Sequence, residues 1–182
     1  MSERIKFCIV INSNALKNQK LLDETINLLR KDHDVEVIKS TSIEEAKEIF
    51  KKLSIKSFDR LIITGGDGSV CFAINEMIKN QNLDDKLVGY IPAGTANILQ
   101  IETQIKKKAE EIYKILVSEK HKKISLAKIN DKYFFLMAGI GFDSEIVASI
   151  DTNIKKYLGK IIFALKGFQH FLFLKNNKME VE

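Results

Sequence analysis

The 182 residues include no tryptophan, one proline (Pro92) and two cysteines. Cys8 lies in a predicted strand and Cys71 in a predicted helix, so neither a disulfide framework nor a zinc site is suggested, and a reducing compartment is expected. His33, His121 and His170 lie far apart along the chain, and nothing pairs them as ligands or general bases. Pro-rich linkers, low-complexity tracts and internal repeats are absent. The longest apolar runs fall far short of the roughly 20 residues of a bilayer span. Met1-Ser2-Glu3-Arg4 leads straight into a strand without the apolar core of a signal peptide. A cytoplasmic protein is therefore expected, with any membrane contact peripheral. The net charge of +5 comes from scattered lysines, with dense clusters only at Lys106 to Lys108 and at Lys120, Lys122 and Lys123. That balance weakly favours anionic ligands or anionic lipid surfaces.

What is present is enough for one substantial core, since 45% of the residues are hydrophobic. Ile5 to Ile11 is apolar apart from Lys6, the pattern of a strand covered on both faces. Leu21, Leu22, Ile26, Leu28 and Leu29 follow at helical spacing, then Val35, Val37 and Ile38 as a strand. Ser42 and Glu45 form a capping box ahead of Ala46, Ile49, Phe50 and Leu53. Leu61 to Ile63 predicts a third strand, Val70 to Ile78 a helix, Leu87 to Ile91 a fourth strand and Thr95 to about Ile101 a short helix. Strands alternating with helices predict an α/β fold, a parallel sheet flanked by helices.

Beyond a helix at about Ala109 to Val117 the pattern changes. Lys123 to Ile129 and Lys132 to Met137 flank Asn130-Asp131 as a hairpin. Helical spacing follows over Ile146 to Ile150 and Ile154 to Leu174, and Met179 to Glu182 alternates like a strand just begun. The expected division is an α/β domain over residues 1–120 and a partial second, antiparallel unit over 121–182. Tyr133, Phe134 and Phe135 read as core rather than as a base-stacking platform, so no nucleic-acid partner is expected. The phenylalanines of the last helix, Phe163, Phe168, Phe171 and Phe173, are best matched to the missing part of that second unit.

Two glycine-bearing loops carry the chemistry. Gly65-Gly66-Asp67-Gly68-Ser69 follows Leu61 to Ile63, and Pro92-Ala93-Gly94-Thr95-Ala96-Asn97 follows Leu87 to Ile91. Each lies where a buried strand hands over to a helix, a junction that turns backbone amides toward an anion. Asp67 is the one carboxylate of the first loop, and beside a phosphate it suggests Mg²⁺-assisted phosphoryl transfer. The bland alternative is that Asp67 or Ser69 merely caps the following helix. In the second loop Pro92 stiffens the strand exit, Gly94 permits close approach, and Thr95 and Asn97 offer hydroxyl and amide; a turn with a Thr95 cap competes on even terms. No Gly-Lys-Ser/Thr follows the glycines, which excludes a Walker A loop, and the Gly-x-Gly-x-x-Gly spacing of a Rossmann fingerprint is missing.

With Ala138-Gly139-Ile140-Gly141-Phe142-Asp143-Ser144-Glu145 and Lys155-Lys156-Tyr157-Leu158-Gly159-Lys160, these loops resemble the diacylglycerol kinase catalytic-domain family in order and spacing over most of the chain. That family includes sphingosine, ceramide and bacterial lipid kinases. The resemblance implies an ATP-dependent lipid kinase, with an α/β nucleotide domain followed by an antiparallel β-sandwich that is incomplete here. It implies that Gly65, Gly66, Gly68 and Ser69 cradle the ATP phosphates, and that Asp67 organises Mg²⁺ or acts as base toward a lipid hydroxyl such as that of diacylglycerol. Gly94, Thr95 and Asn97 would line the nucleotide crevice, Asn12 matches the asparagine of the first-strand motif, Lys156 a basic position near the phosphates, and Glu145 a polar position near the lipid head. Solvated helix charges compete for Lys156 and Glu145. The implied partner is a lipid at a membrane surface, and a homodimer is compatible with the sequence. Leu16, Phe72, Ile98 and Ser125 depart from the family pattern, so a non-catalytic nucleotide-binding module stays open. So does an NAD kinase-like enzyme, whose related fold also carries Gly-Gly-Asp-Gly.

Overall fold

Uninterrupted apolar runs become the two central strands. In the computed structural model, which describes residues 4–53, 57–80 and 87–139, β1 (Lys6–Asn12) and β3 (Arg60–Gly65) are covered on both faces. The alternating Asp34-Val35-Glu36-Val37 leads β2 (Asp34–Ser40), which is only half covered and takes one edge. β4 (Leu87–Pro92) takes the other, giving the all-parallel order β2-β1-β3-β4. Because strand side chains alternate, the sheet builds two cores. Phe7, Ile9, Ile11, Ile62 and Ile91 pack under α1 (Gln19–Asp32) and α5 (Ala109–Val117) through Leu22, Leu29, Ile112 and Leu116. Cys8, Val10, Leu61 and Ile63 pack under α2 (Ile43–Leu53) and α3 (Asp67–Lys79) through Phe50, Val70, Ala73 and Met77. Each fully buried side chain of this kind stabilises by roughly 1.5–3 kcal/mol.

Local signals set the helix ends. The Ser42 hydroxyl accepts from the Glu45 amide at 3.0 Å, while the Glu45 carboxylate reaches one residue further back than in a standard box, to the Thr41 N–H at 2.7 Å and the Thr41 hydroxyl at 2.8 Å. α5 spans Ala109–Val117 as its periodicity predicts, and the Arg60 guanidinium holds its C-terminal end through the carbonyls of Leu116 and Ser118. The short helix expected from Thr95 instead begins three residues later, as α4 (Ile98–Glu102), because Asn97 adopts the left-handed conformation (φ 52°) and breaks the helical run.

The predicted hairpin forms but is shorter, with β5 (Ala127–Ile129) and β6 (Lys132–Phe134) antiparallel about Asn130-Asp131. A small antiparallel sheet thus follows the parallel one. The Asn75 side chain serves as its docking post, donating to the Tyr133 carbonyl at 2.8 Å and accepting from the Tyr133 N–H at 2.8 Å. All these elements fall in the first of two compact units, Met1–Leu136 and Met137–Glu182. The helices expected over Ile146 to Ile150 and Ile154 to Leu174, and the strand at Met179 to Glu182, lie outside the described residues. Among the described residues no helix is long and apolar enough to cross a membrane.

Candidate functional site

The connections leaving β1 and β3 go to opposite faces, β1 to α1 and β3 to α3, so their C-terminal ends bound the crevice where open α/β sheets take ligands. Three strand exits meet there. Asn12, at the end of β1, donates through Nδ2 to Ser69 Oγ at 3.1 Å, and its Oδ1 accepts from the Asn14 N–H at 3.1 Å. The Lys17 N–H donates to the Ala93 carbonyl at 2.7 Å, and the Ala93 N–H to the Gly65 carbonyl at 3.0 Å. The loops after β1, β3 and β4 are therefore joined through their backbones.

In the first loop Gly65 sits at φ 153°, a region that L side chains rarely adopt, and Gly66 is the N-cap of α3. The Ser69 and Val70 amides close back onto the Gly66 carbonyl at 2.9 and 3.2 Å. The Asp67 and Gly68 amides are among the first-turn donors that an α-helix leaves without an intrahelical acceptor. Gly68 is exposed, and a Cβ built there would meet nothing within 4 Å, so no side chain crowds this first turn.

Asp67 caps a helix other than its own. Its Oδ2 accepts from the Ile98 N–H and its Oδ1 from the Leu99 N–H, both at 2.9 Å, which supplies the start of α4 with the acceptors that Asn97 does not provide. The two glycine loops are thereby bridged by one carboxylate. Neither Thr95 nor Ser69 caps a helix; Thr95 is half-buried in the second loop.

Asn97 is buried (1% exposed) and its amide is engaged inside its own loop: Oδ1 accepts from the Gly94 N–H at 3.0 Å, and Nδ2 donates to the Gly94 carbonyl at 2.8 Å. Gly94 is obligatory for space. A Cβ there would overlap the Gly66 Cα and lie 2.7 Å from the Gly66 nitrogen and 2.9 Å from Asn97 Oδ1. The loops touch backbone to backbone.

Tyr90 was not singled out as a site residue from the sequence, where it reads as one more apolar position of β4. Its Oη lies 3.2 Å from the Gly65 carbonyl and 2.9 Å from Asn97 Oδ1, with one proton to share between the two acceptors. Burial, and then the charge of Asp67, hold this phenol well above its ordinary range, so it stays a neutral donor. Glu145 and Lys156 lie outside the described residues. Among the described residues no group of three or more His, Cys, Asp or Glu side chains could hold a metal ion. A single carboxylate is nonetheless compatible with Mg²⁺, which commonly binds through one or two carboxylates together with substrate phosphates.

Comparison with known proteins agrees with this architecture. Residues 6–129 match the family model described as diacylglycerol kinase catalytic domain. The chain is 24% identical over 168 residues to the "Probable lipid kinase YegS-like" of Shewanella frigidimarina, covering 92% of this chain and 54% of that protein. It is 27% identical over 146 residues to the "Diacylglycerol kinase" of Bacillus subtilis, covering 79% of this chain and 47% of that protein. A crystal structure from Bacillus anthracis shares the fold with a TM-score of 0.72 at 24% identity, over 98% of this chain and 58% of that one. The chain thus spans about half the length of the curated relatives it matches.

Proposed function

The chain belongs to the diacylglycerol kinase catalytic-domain family, and from that membership we propose that it is the nucleotide-binding part of an ATP-dependent lipid kinase that transfers the γ-phosphate to a lipid hydroxyl such as that of diacylglycerol. The observation that carries the reading is the pair of glycine loops held together at the end of the sheet, with the first turn of α3 uncrowded at the exposed Gly68. First-turn amides favour anions through the helix dipole and fixed N–H groups. Gly65, Gly66, Gly68 and Ser69 would cradle the phosphates, Asn12 would orient the Ser69 hydroxyl, and Gly94 and Thr95 would form the opposite wall, with the buried Asn97 holding Gly94 in place rather than meeting the nucleotide itself.

Asp67 is the residue that would face a phosphate-borne Mg²⁺, with lone pairs beyond those taken by the Ile98 and Leu99 amides. When bound, the ion would neutralise charge on the transferring phosphoryl group. Lys156 and Glu145 are proposed, on the family resemblance, to approach the phosphates and the lipid head. The lipid would be met at a membrane surface by a cytoplasmic, peripherally associated protein.

The test is phosphorylation of diacylglycerol in mixed micelles with Mg-ATP by the product of the whole reading frame. Labelled lipid phosphate is expected, and no product from any of several lipid alcohols would refute the kinase. A second reading, nucleotide binding without turnover, is favoured by one observation: both Asp67 oxygens already accept backbone amides. Calorimetric binding of Mg-ATP with no lipid product would establish it.

A further inference from the structure

Two successive glycines make the Gly65–Gly66 peptide unusually free to rotate, because neither flanking residue has a Cβ to oppose a flip. The direction of that peptide matters. Its plane is rigid and trans, so the Gly66 N–H points opposite to the Gly65 carbonyl. A flip would exchange donor for acceptor at the entrance to the α3 amides, and an anion would then meet an oxygen.

The Gly65 carbonyl faces two donors on the β4 side, the Ala93 N–H at 3.0 Å and the Tyr90 hydroxyl at 3.2 Å. The backbone donor sits just past β4, in the loop whose Gly94 packs on Gly66. The phenol is rooted in the core: Tyr90 is 8% exposed and packs in the cluster containing Val70, Ala73 and Met77 of α3. The same hydroxyl lies 2.9 Å from Asn97 Oδ1, which holds the Gly94 amide. One oxygen atom therefore faces the flip-prone peptide of the first loop and the loop-closing amide of the second.

We propose that Tyr90 is a positioning residue whose hydroxyl locks the Gly65–Gly66 peptide in the orientation that presents its N–H, with the α3 amides, to the phosphates of a nucleotide. The proposal rests on the nucleotide reading above. Its neutral phenol is a constant donor, since burial and the Asp67 charge oppose ionisation. Replacing tyrosine by phenylalanine removes only this oxygen. The Gly65 carbonyl keeps the Ala93 N–H, and Asn97 Oδ1 keeps the Gly94 N–H, so Tyr90→Phe should fold.

The experiment compares the full chain with Tyr90→Phe by calorimetry with Mg-ATP and with adenosine, and by ¹H–¹⁵N spectra of the ligand-free proteins. The expected result is ATP binding weakened about 5-fold to 10-fold, as one hydrogen bond lost from a preorganised site implies, with adenosine binding unchanged. In the free variant the Gly66 amide resonance should shift and broaden through exchange between two peptide orientations. An unchanged ATP affinity, equal weakening of ATP and adenosine, or an unperturbed Gly66 amide would overturn the lock. If the parent chain binds no ATP while the Gly66 amide still responds to Tyr90→Phe, the nucleotide reading fails and the assignment of the lock to phosphate binding falls with it.

Discussion

Replacing Asp67 by asparagine changes one oxygen into an NH₂ group and removes a charge, and the structure says where that is felt. The carboxylate accepts two N–H bonds of 2.9 Å from Ile98 and Leu99. Hydrogen bonds to a charged group contribute roughly 1.5–3 kcal/mol each. Asparagine retains one of them as a weaker neutral bond and sets its own donor against the other amide. Asp67 is half-buried, so water recovers part of the loss, and about 2 kcal/mol is expected overall. For a domain of this size that corresponds to a fall in Tm of about 4–8 °C. Thermal and urea unfolding followed by circular dichroism would measure it, and hydrogen exchange should show faster exchange at the Ile98 and Leu99 amides. If the protein turns over lipid, Asp67→Asn should also lower kcat by at least ~100-fold. Loss of turnover with unchanged stability and unchanged exchange at Ile98 and Leu99 would refute the bridging role and leave the carboxylate to chemistry alone.

Three further outcomes follow from the same geometry. Gly94→Ala must drive a Cβ into the Gly66 backbone and should destabilise by about 3 kcal/mol, whereas Gly68→Ala enters open space in the first turn of α3 and should leave unfolding unchanged or raise stability by up to ~1 kcal/mol while weakening Mg-ATP binding; paired melts and titrations separate the two. Thr41, through its N–H and then its hydroxyl, holds the Glu45 carboxyl below its ordinary value of 4.5, so this stabilisation is present above that value and is lost as pH falls through the lowered one. Glu45→Gln should be less stable at neutral pH and show a flatter acid limb, read from melts across the acid range. Asn75→Ala removes both bonds to Tyr133 and should cost about 1–3 kcal/mol, with exchange accelerated at the hairpin amides before those of β1 or β3.

Much of the fold was legible in the chain because its signals are local. The uninterrupted run around Cys8 to Ile11 marks a central strand, Ser42 with Glu45 marks a helix start, and the spacing of Ala109, Ile112 and Leu116 marks the buried stripe of α5. The two glycine loops were legible for the same reason: Gly65 takes a backbone conformation that side chains rarely adopt, and Gly94 leaves room for the Gly66 backbone. The start of α4 was not legible. Thr95 is an ordinary N-cap residue, and only the left-handed turn at Asn97, stabilised by its own side chain on Gly94, moves the helix to Ile98.

By itself, the sequence determined that strands alternate with helices, that two glycine-bearing turns follow buried strands, and that Asp67 is the carboxylate among them. Propensity, capping and side-chain period act over a few residues and need no partner. Tertiary structure alone decided what those groups do to one another. β3 and β4 pair in a register that sets Gly65 beside Pro92, and this puts Gly66 against Gly94, the Asp67 carboxylate under the amides of α4, and the Tyr90 hydroxyl between Gly65 and Asn97. Each of these contacts joins residues from different loops or strands, and their direction is set by the sheet that carries both.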